Sequence, residues 1–284
     1  MRAIVADTPL QATGRDPKEA EVPSLLQILG GAFRKVVAGV QDYSILSLQS
    51  LTNLVAGPRY MLDAMEQMDI IGVGSLPIVL LTGFFIGAVM VLQTGQQFTR
   101  FGQTALTGDV VAIALVRELG PTITGLLVAG RCSSGIASEL GSMLVTEQVD
   151  AMRAMGTDPS RKLVTPRVLA TLLMLPLLTA LADFIGLLGG CVVSVFTLRL
   201  DAYQFWTRAI DALEFADLMQ GLSKPIFFGF ILATVGCYKG LSVRGGTQGV
   251  GRATTQAVVV SSVLIIAADF FLTKVSLFLA DKVF

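Results

Sequence analysis

Long apolar stretches separated by short polar connections make up most of this chain. Five of the stretches approach the roughly 20 residues that an α-helix needs to cross a hydrocarbon core. Few charged residues interrupt them. The pattern therefore predicts an all-α fold, that of a polytopic membrane protein with about five transmembrane helices. The predicted spans are residues 70–99, 110–130, 168–198, 225–238 with a backward extension through 218–222, and 257–279.

The segment 24–56 is apolar at helical spacing but too polar to cross a membrane. Its apolar positions include Leu25, Leu29 and Phe33, which lie four residues apart. We predict an amphipathic interfacial helix here, in one or two pieces, while a helix that packs against the bundle is the alternative. Residues 1–23 carry charges of both signs and no apolar core of the kind found in a signal peptide. We expect them to form a disordered cytoplasmic extension.

Lysine and arginine are unevenly distributed over the predicted connections. The connection between the second and third spans carries five of them, and the one between the fourth and fifth spans carries three. The other two connections carry one and two. Basic connections usually face the cytoplasm. We therefore predict a cytoplasmic N-terminus and a periplasmic C-terminus.

Composition narrows the functional classes. Only 15% of the 284 residues are charged, against about 25% in soluble domains. The formal net charge is zero, which gives no sign of a nucleic-acid partner. The chain contains no histidine, and this excludes histidine-based catalysis, proton relays and metal sites. The three widely separated cysteines are interpreted as core residues, so we expect no cofactor or metal in this chain.

Small residues recur four apart in two of the predicted spans. Gly83 and Gly87 form a GxxxG pattern in the first span, and Gly186 and Gly190 form another in the third. Such pairs allow helix backbones to approach closely in lipid. The pattern fits packing within one chain or between two copies of the chain.

A glycine-rich stretch at residues 246–254 comes close to a phosphate-binding P-loop. The motif requires lysine followed by serine or threonine, where this chain has Arg252 and Ala253, and it should follow a strand. We predict instead a flexible turn that leads into the fifth span. The chain is therefore expected to have no ATPase activity of its own.

Ionisable residues inside the predicted spans are functional candidates, because charges in a membrane are costly unless they are paired or hydrated. Arg117 and Glu118 are adjacent, and their side chains point about 100° apart on a helix, so each needs a partner elsewhere. Asp217 and Lys224 share a helix face. Such residues lock the bundle through ion pairs or line a hydrated cavity for a charged headgroup, and the two roles are compatible. We predict that Arg117 contacts an anionic headgroup, which its guanidinium geometry suits, and that Glu118 has a structural role.

Asp183 and Asp269 lie deep in the third and fifth predicted spans. We predict that they take part in structural ion pairs, with Asp269 as the partner of Arg117 when no lipid is bound. An ion-coupled secondary transporter would instead use both acids as proton or sodium sites. The internal repeat of interrupted helices that is typical of such transporters is not evident in this sequence.

The end of the first predicted span combines amides with aromatic rings. Gln93, Gln97, Phe98 and Phe101 lie beyond its apolar part, and Met90 lies about one turn earlier. This mixed surface suits the boundary between the tails and the headgroup of a lipid, so we predict lipid contact here. An interfacial aromatic anchor is the alternative.

The most basic connection, residues 131–166, has a helical pattern with a methionine-bearing apolar edge and an acidic rim. Such a surface is typical of a helix that a partner protein binds, although a solvated helical loop fits the same pattern. Asp158-Pro159 and Thr165-Pro166 are predicted helix starts. The predicted contact residues are Glu139, Glu147, Gln148, Asp150, Met152 and Arg153.

Several motifs, in order along the chain, resemble the MlaE (YrbE) family of ABC-transporter permeases. Residues 117–121 read Arg-Glu-Leu-Gly-Pro, and residues 127–131 read Leu-Val-Ala-Gly-Arg. Residues 139–159 begin with Glu-Leu-Gly-Ser-Met and contain Thr-Glu-Gln-Val-Asp-Ala-Met. Residues 249–259 and 268–273 resemble the C-terminal signature of the family.

The resemblance covers roughly residues 25–279 and implies a permease domain over residues 24–284. Such permeases are membrane subunits of lipid transporters in bacterial inner membranes. Two copies bind cytoplasmic ABC ATPases, which hold the ATP and Mg, together with a small STAS-domain protein and an outer-side ring of MCE-domain lipid-binding proteins. The cargo is typically phospholipid, and transport maintains the lipid asymmetry of the outer membrane.

By the same resemblance, residues 131–166 form the cytoplasmic coupling segment, with Glu147, Gln148 and Asp150 in the part that couples to the ATPase. Arg117 and Glu118 then lie at the lipid cavity. We expect this cavity to lie between two copies of the chain, lined by the first, second and fifth spans. ATP binding in the partner would tilt the coupling helices and squeeze the cavity.

Overall fold

A computed structural model describes residues 25–55 and 60–283, and the regular elements within these ranges are helices. The predicted extension at residues 1–23 lies outside the described residues. The first helix, α1, spans Leu25–Val55. In the C-terminal part of α1, the Tyr43 hydroxyl lies 2.9 Å from the Thr234 hydroxyl, so this part of the helix packs against the bundle.

In the part of the chain that the structure describes, five helical segments are long and apolar enough to cross a membrane, which confirms the predicted all-α, five-span architecture. They contain 27 to 42 residues and extend beyond the predicted limits. The second one continues past Arg117 and Arg131, because Arg117 pairs with a buried carboxylate and the exposed Arg131 side chain donates to a backbone carbonyl of the first span. The five spans are Met61–Arg100, Thr104–Val145, Ser160–Leu198, Phe215–Leu241 and Gly246–Phe278.

Short π-helical turns divide the first three spans. The first span consists of α2 (Met61–Met68), the turn Asp69–Val73 and α3 (Gly74–Arg100). The second consists of a 3₁₀ turn (Thr104–Leu106), α4 (Thr107–Ala114), the turn Leu115–Leu119, α5 (Gly120–Val128), the turn Ala129–Ser133 and α6 (Ser134–Val145). After α7 (Gln148–Ala154), the turn Ser160–Val164 leads into α8 (Thr165–Leu198). The remaining helices are α9 (Ala202–Asp211), α10 (Phe215–Leu241) and α11 (Gly246–Val283).

Three of these π-helical turns come just before a proline, namely Pro77, Pro121 or Pro166. Proline has no N–H, and in a regular helix its ring clashes with the carbonyl four residues earlier. In each of the three cases that carbonyl belongs to the π-helical turn, whose wider backbone accommodates the ring. As predicted, α8 begins at Thr165 with Pro166 in its first turn, but Thr165 is not an N-cap there, because the π-helical turn Ser160–Val164 leads directly into α8. There the Asp158 carboxylate accepts the Ser160 N–H at 2.9 Å, which confirms the other predicted start.

The two GxxxG patterns pack against each other within the chain. A Cβ atom on Gly87 would overlap the Gly186 carbonyl oxygen, and one on Gly83 would lie 2.8 Å from the Ala182 carbonyl oxygen. The backbones of α3 and α8 therefore touch directly. Of the two arrangements that the pattern allowed, these glycines adopt packing within one chain.

Candidate functional site

Charged residues from three spans meet in the middle of the bundle. Two of them lie in the π-helical turn Leu115–Leu119 of the second span, about 20 Å along the helix from Thr104. Their partners come from α10 and α11. We call the set the charged cluster, and its members are Arg117, Glu118, Asp217, Lys224 and Asp269.

Arg117 pairs with Asp217 near the N-terminal end of α10. The Arg117 Nε donates to Asp217 Oδ1, and Asp217 Oδ2 accepts the Glu214 backbone N–H at 3.1 Å in the capping box of α10. Because the capping box holds this carboxylate beside Arg117, the prediction that Asp269 is the partner of Arg117 is wrong. Asp217 and Lys224 do not pair with each other, and both reach across to the second span.

Lys224 is the centre of the charged cluster, with 1% of its side chain exposed. Its Nζ donates to Glu118 Oε2 at 2.6 Å and to the Arg117 backbone carbonyl at 3.0 Å, and it lies 3.0 Å from Asp269 Oδ1. Pro121 has no N–H to offer the Arg117 carbonyl. The ammonium therefore supplies a donor to a carbonyl whose usual partner, four residues on, is missing.

Three polar side chains that were not predicted as site residues complete the charged cluster, and of these only Thr273 lies in a predicted motif, the stretch 268–273. The Thr273 hydroxyl lies 3.3 Å from both Glu118 carboxylate oxygens, and Gln220 Nε2 lies 3.5 Å from one of them. The Thr122 hydroxyl donates to Asp269 Oδ2 at 3.1 Å. Threonine and glutamine give no signal by themselves, and only their positions opposite carboxylates identify them.

One edge of the charged cluster is open. The side chains of Arg117 and Glu118 are 37% and 40% exposed, whereas those of Asp217 and Lys224 are 3% and 1% exposed. Arg117 Nη1 and Nη2 have no hydrogen-bond partner among the residues that the structure describes. The geometry therefore leaves a guanidinium edge free to bind an anion.

Asp183 does not join the charged cluster. It is buried in α8 against Gly120, beside a small cavity lined by residues of α3 and α5. Its Oδ1 has no hydrogen-bond partner, and no cation in the described ranges forms an ion pair with it. The prediction that Asp183 takes part in a structural ion pair is therefore wrong. Gly120 leaves the space that the carboxyl group occupies.

The residues predicted for lipid contact at the end of the first span lie apart from the charged cluster. Met90, Gln93 and Gln97 recur about one turn apart on one face of α3. Both glutamines are exposed, Phe98 is half-buried, and Phe101 is exposed just beyond the end of α3. Within the described residues, no hydrogen bond links these side chains to the cluster, so their contact with lipid stays a prediction.

The predicted coupling segment is less separate from the bundle than expected. Because α6 continues the second span to Val145, residues 131–145 belong to the spanning helix. The exposed Glu147 then turns the chain with a φ of 60°. This left-handed conformation is uncommon for residues other than glycine. We call Thr146–Glu147 the coupling turn.

The helix that follows, α7, presents polar side chains outward. Gln148, Asp150 and Arg153 are exposed, and Arg153 donates to Asp150 at 2.9 Å. Met152, which was predicted to contact the ATPase, is half-buried and packs against the main core. The exposed methionine of this region is Met155, with 74% of its surface accessible.

Glu139 is engaged within the chain, although it was predicted to contact the ATPase. Its Oε1 lies 2.7 Å from Arg167 Nη2, and Arg167 Nη1 donates to the Leu163 carbonyl at 2.6 Å. Arg167 is almost fully buried. From the sequence it was only one of the five basic residues between the second and third predicted spans. The bridge joins the second span to the third close to the coupling turn.

Comparison with known proteins points to one family. Residues 64–275 match the family model described as Permease MlaE, and this range includes the charged cluster and α7. The "Probable ABC transporter permease protein" of Rickettsia bellii is 41% identical over 240 residues, which cover 84% of this chain and 93% of the relative.

Two further relatives come from Arabidopsis thaliana and Haemophilus influenzae. The protein TRIGALACTOSYLDIACYLGLYCEROL 1, chloroplastic, of Arabidopsis thaliana is 37% identical over 230 residues, covering 81% of this chain and 66% of the relative. The intermembrane phospholipid transport system permease protein MlaE of Haemophilus influenzae is 36% identical over 211 residues, covering 74% of this chain and 81% of the relative.

Proposed function

The chain belongs to the MlaE permease family, and from this premise we propose that it is the membrane subunit of an ATP-driven phospholipid transporter. The name of the Haemophilus influenzae relative supports the cargo. A multi-pass bundle with an open, charged cluster in its middle supports a site for a charged headgroup. In this proposal the chain binds and moves lipid, and a partner ATPase hydrolyses ATP with Mg.

The proposed setting is the bacterial inner membrane. An odd number of spans supports termini on opposite sides of the membrane. The lysine- and arginine-rich connections support a cytoplasmic N-terminus and a periplasmic C-terminus. Two copies of the chain enclose the lipid cavity. Cytoplasmic ABC ATPases with a small STAS-domain protein bind one side, and a ring of MCE-domain proteins binds the other. This assembly would maintain the lipid asymmetry of the outer membrane.

The observation that carries the proposal is the half-open geometry around Arg117. Its Nε is occupied by Asp217, while Nη1 and Nη2 point to no acceptor in the part of the chain that the structure describes. An unpaired cation in mid-membrane costs at least about 2.5–3.5 kcal/mol. Asp217 offsets this cost while the site is empty, and the free guanidinium edge binds the phosphate of an incoming lipid.

Coupling between ATP hydrolysis and lipid movement is proposed to run through α7. The coupling turn and α7 form an exposed polar surface that directly continues the second span. The bridge between Glu139 and Arg167 fastens this end of the second span to the third. A push by the ATPase on α7 would therefore move the span that carries Arg117 and Glu118.

The test is lipid transfer by the reconstituted complex in proteoliposomes, with ATP supplied or withheld. We expect labelled phospholipid to move only with ATP. Glu147→Lys should abolish lipid-stimulated ATPase activity while membrane insertion stays intact, and Glu66→Lys, the same charge reversal at another exposed position, is the control. Transfer driven by a proton or sodium gradient without ATP would overturn the proposal in favour of an ion-coupled transporter.

A further inference from the structure

Arg131 is a second cation of the second span, and it is not a member of the charged cluster. It lies in the π-helical turn Ala129–Ser133, about 40 Å along the span from Thr104 and about 21 Å beyond Arg117. A bilayer with its headgroups is about 40–45 Å thick. With Thr104 taken as one membrane face, this distance puts Arg131 at the opposite headgroup layer, toward the end of the bundle that leads into the coupling turn.

The Arg131 guanidinium is held in place by neutral groups. Nη1 donates to the Ile70 carbonyl and to the Ser75 hydroxyl, both at 3.0 Å. In the π-helical turn of the first span, the Gly74 N–H bonds to the Asp69 carbonyl instead of the Ile70 carbonyl. Arg131 supplies a donor to that carbonyl, and the missing side chain of Gly74 lets the guanidinium lie against the helix.

The charge of Arg131 is not compensated by a carboxylate. Arg117, Arg167 and Lys224 each have one at ion-pair distance, whereas Arg131 has none in the ranges that the structure describes. Its side chain is exposed, and its Nε and Nη2 have no hydrogen-bond partner among the same residues. An anchored, exposed and uncompensated guanidinium offers a binding edge to an anion.

The surface beside Arg131 is open. A Cβ atom on Gly130 or on Gly135 would meet no other group within 4 Å. A side chain at position 135 would lean toward the preceding turn of the helix, over Arg131. The glycine at this position therefore keeps the approach to the guanidinium clear.

We propose that Arg131 and the open surface at Gly130 and Gly135 form a second lipid site, which binds the phosphate of a headgroup in the leaflet next to the coupling turn. In the orientation proposed above, this is the cytoplasmic leaflet. The free Nε and Nη2 donate to two phosphate oxygens, and the acyl chains lie along the apolar surface of the first two spans. The site needs only the membrane placement of the chain, and it binds lipid with or without transport.

The test is native mass spectrometry of the purified full-length chain carrying Arg117→Gln, so that the charged cluster contributes little to lipid retention. The probes are phosphatidylglycerol, a diacylglycerol with the same acyl chains, and inorganic phosphate. We expect retention of phosphatidylglycerol well above that of either other probe. Gly135→Leu fills the open surface without touching the Arg131 anchor. Because the leucine would keep the phosphate from the guanidinium, it should lower phosphatidylglycerol retention about tenfold, which is the effect expected when one hydrogen bond to a charged group is lost.

The matched control is Gly251→Leu, since Gly251 is also exposed and has open space around it. It should retain phosphatidylglycerol like the parent protein. Equal retention in Gly135→Leu, or equal retention of diacylglycerol, would overturn the proposal and reduce Arg131 to a link between the first two spans. Strong binding of inorganic phosphate would identify an anion site that does not select lipid, which also overturns it. The measurement uses no ATP, so its failure is separate from a failure of the transporter function.

Discussion

Two groups of helices in this bundle are joined by opposite means. The first and third spans meet through bare backbone, where Gly87 lies against the Gly186 carbonyl and Gly189 against the Phe84 carbonyl. The second, fourth and fifth spans meet through the charged cluster, in which Lys224 contacts carboxylates on two of them. The first junction excludes any added atom. The second has several donors and acceptors that can exchange partners.

This difference suggests a division of labour. A backbone-to-backbone contact permits one arrangement and provides a fixed frame. At the open edge of the charged cluster, a side chain can exchange its ion-pair partner for a bound anion without leaving a cavity. The second and fifth spans are therefore suited to line a lipid site. The fifth span is also the least enclosed, with 11% of its most apolar window buried within the chain. Its remaining surface is available to a second copy.

The largest effect is expected at the backbone junction. In Gly87→Ala the added methyl group would overlap the Gly186 carbonyl, which belongs to the backbone and cannot swing aside. Because the overlap is with backbone on both helices, we expect a cost above the roughly 1–3 kcal/mol of ordinary overpacking and above the roughly 3–5 kcal/mol of a broken buried ion pair, with little folded protein by size-exclusion chromatography in detergent. Gly251→Ala, at an open position, should behave as wild type. A native melting temperature for Gly87→Ala would show that the two spans do not form a fixed frame.

Removal of the central cation should break the other junction. Lys224→Met leaves Glu118 and Asp269 without their ammonium and the Arg117 carbonyl without its donor. Breaking a buried pair in this way costs about 3–5 kcal/mol, which would appear as a lowered melting temperature. Lys239→Met, which removes a half-buried lysine of the same helix whose Nζ donates to the Gln256 side chain at 3.3 Å, should have a much smaller effect. Equal stability of the two variants would contradict a joining role for the cluster.

A smaller and more specific effect is expected for Arg117→Lys. A lysine keeps the charge beside Asp217 but lacks the two-pronged edge that fits a phosphate. Expression should stay near normal while lipid capture by the complex falls about tenfold, the equivalent of about 1.4 kcal/mol. Arg208→Lys, at a surface ion pair with Asp109, is the control. Normal transport by Arg117→Lys would restrict Arg117 to an ion pair that locks the bundle.

The smallest effect is expected for Asp183→Asn. Since Asp183 Oδ1 accepts no hydrogen bond and its carboxylate forms no ion pair in the described ranges, an amide of the same shape loses no identified partner. Melting temperature and ATP-dependent transfer should stay close to those of the wild type. Normal ATPase activity with abolished transfer would instead identify Asp183 as an ion site, as in the secondary-transporter alternative.

The sequence alone determined the architecture and the residues of interest. Five apolar stretches of membrane length leave the helix as the only element that satisfies every backbone group in lipid. The cost of intramembrane charge singled out Arg117 and Glu118. Local chemistry was also sufficient at Asp158-Pro159, where a carboxylate and a proline start a helix whatever lies around them.

Only the tertiary structure decided which of these residues meet. Helical spacing put Asp217 and Lys224 on one face but could not say that each pairs with the second span or that Asp269 contacts Lys224. It also could not say that Asp183 forms no ion pair within the described residues. A π-helical turn adds about one residue to a helical turn and rotates everything beyond it. Partner choice depends on the rotation and depth of several helices at once. These follow from glycine contacts and π-helical turns far along the chain, which no local pattern specifies.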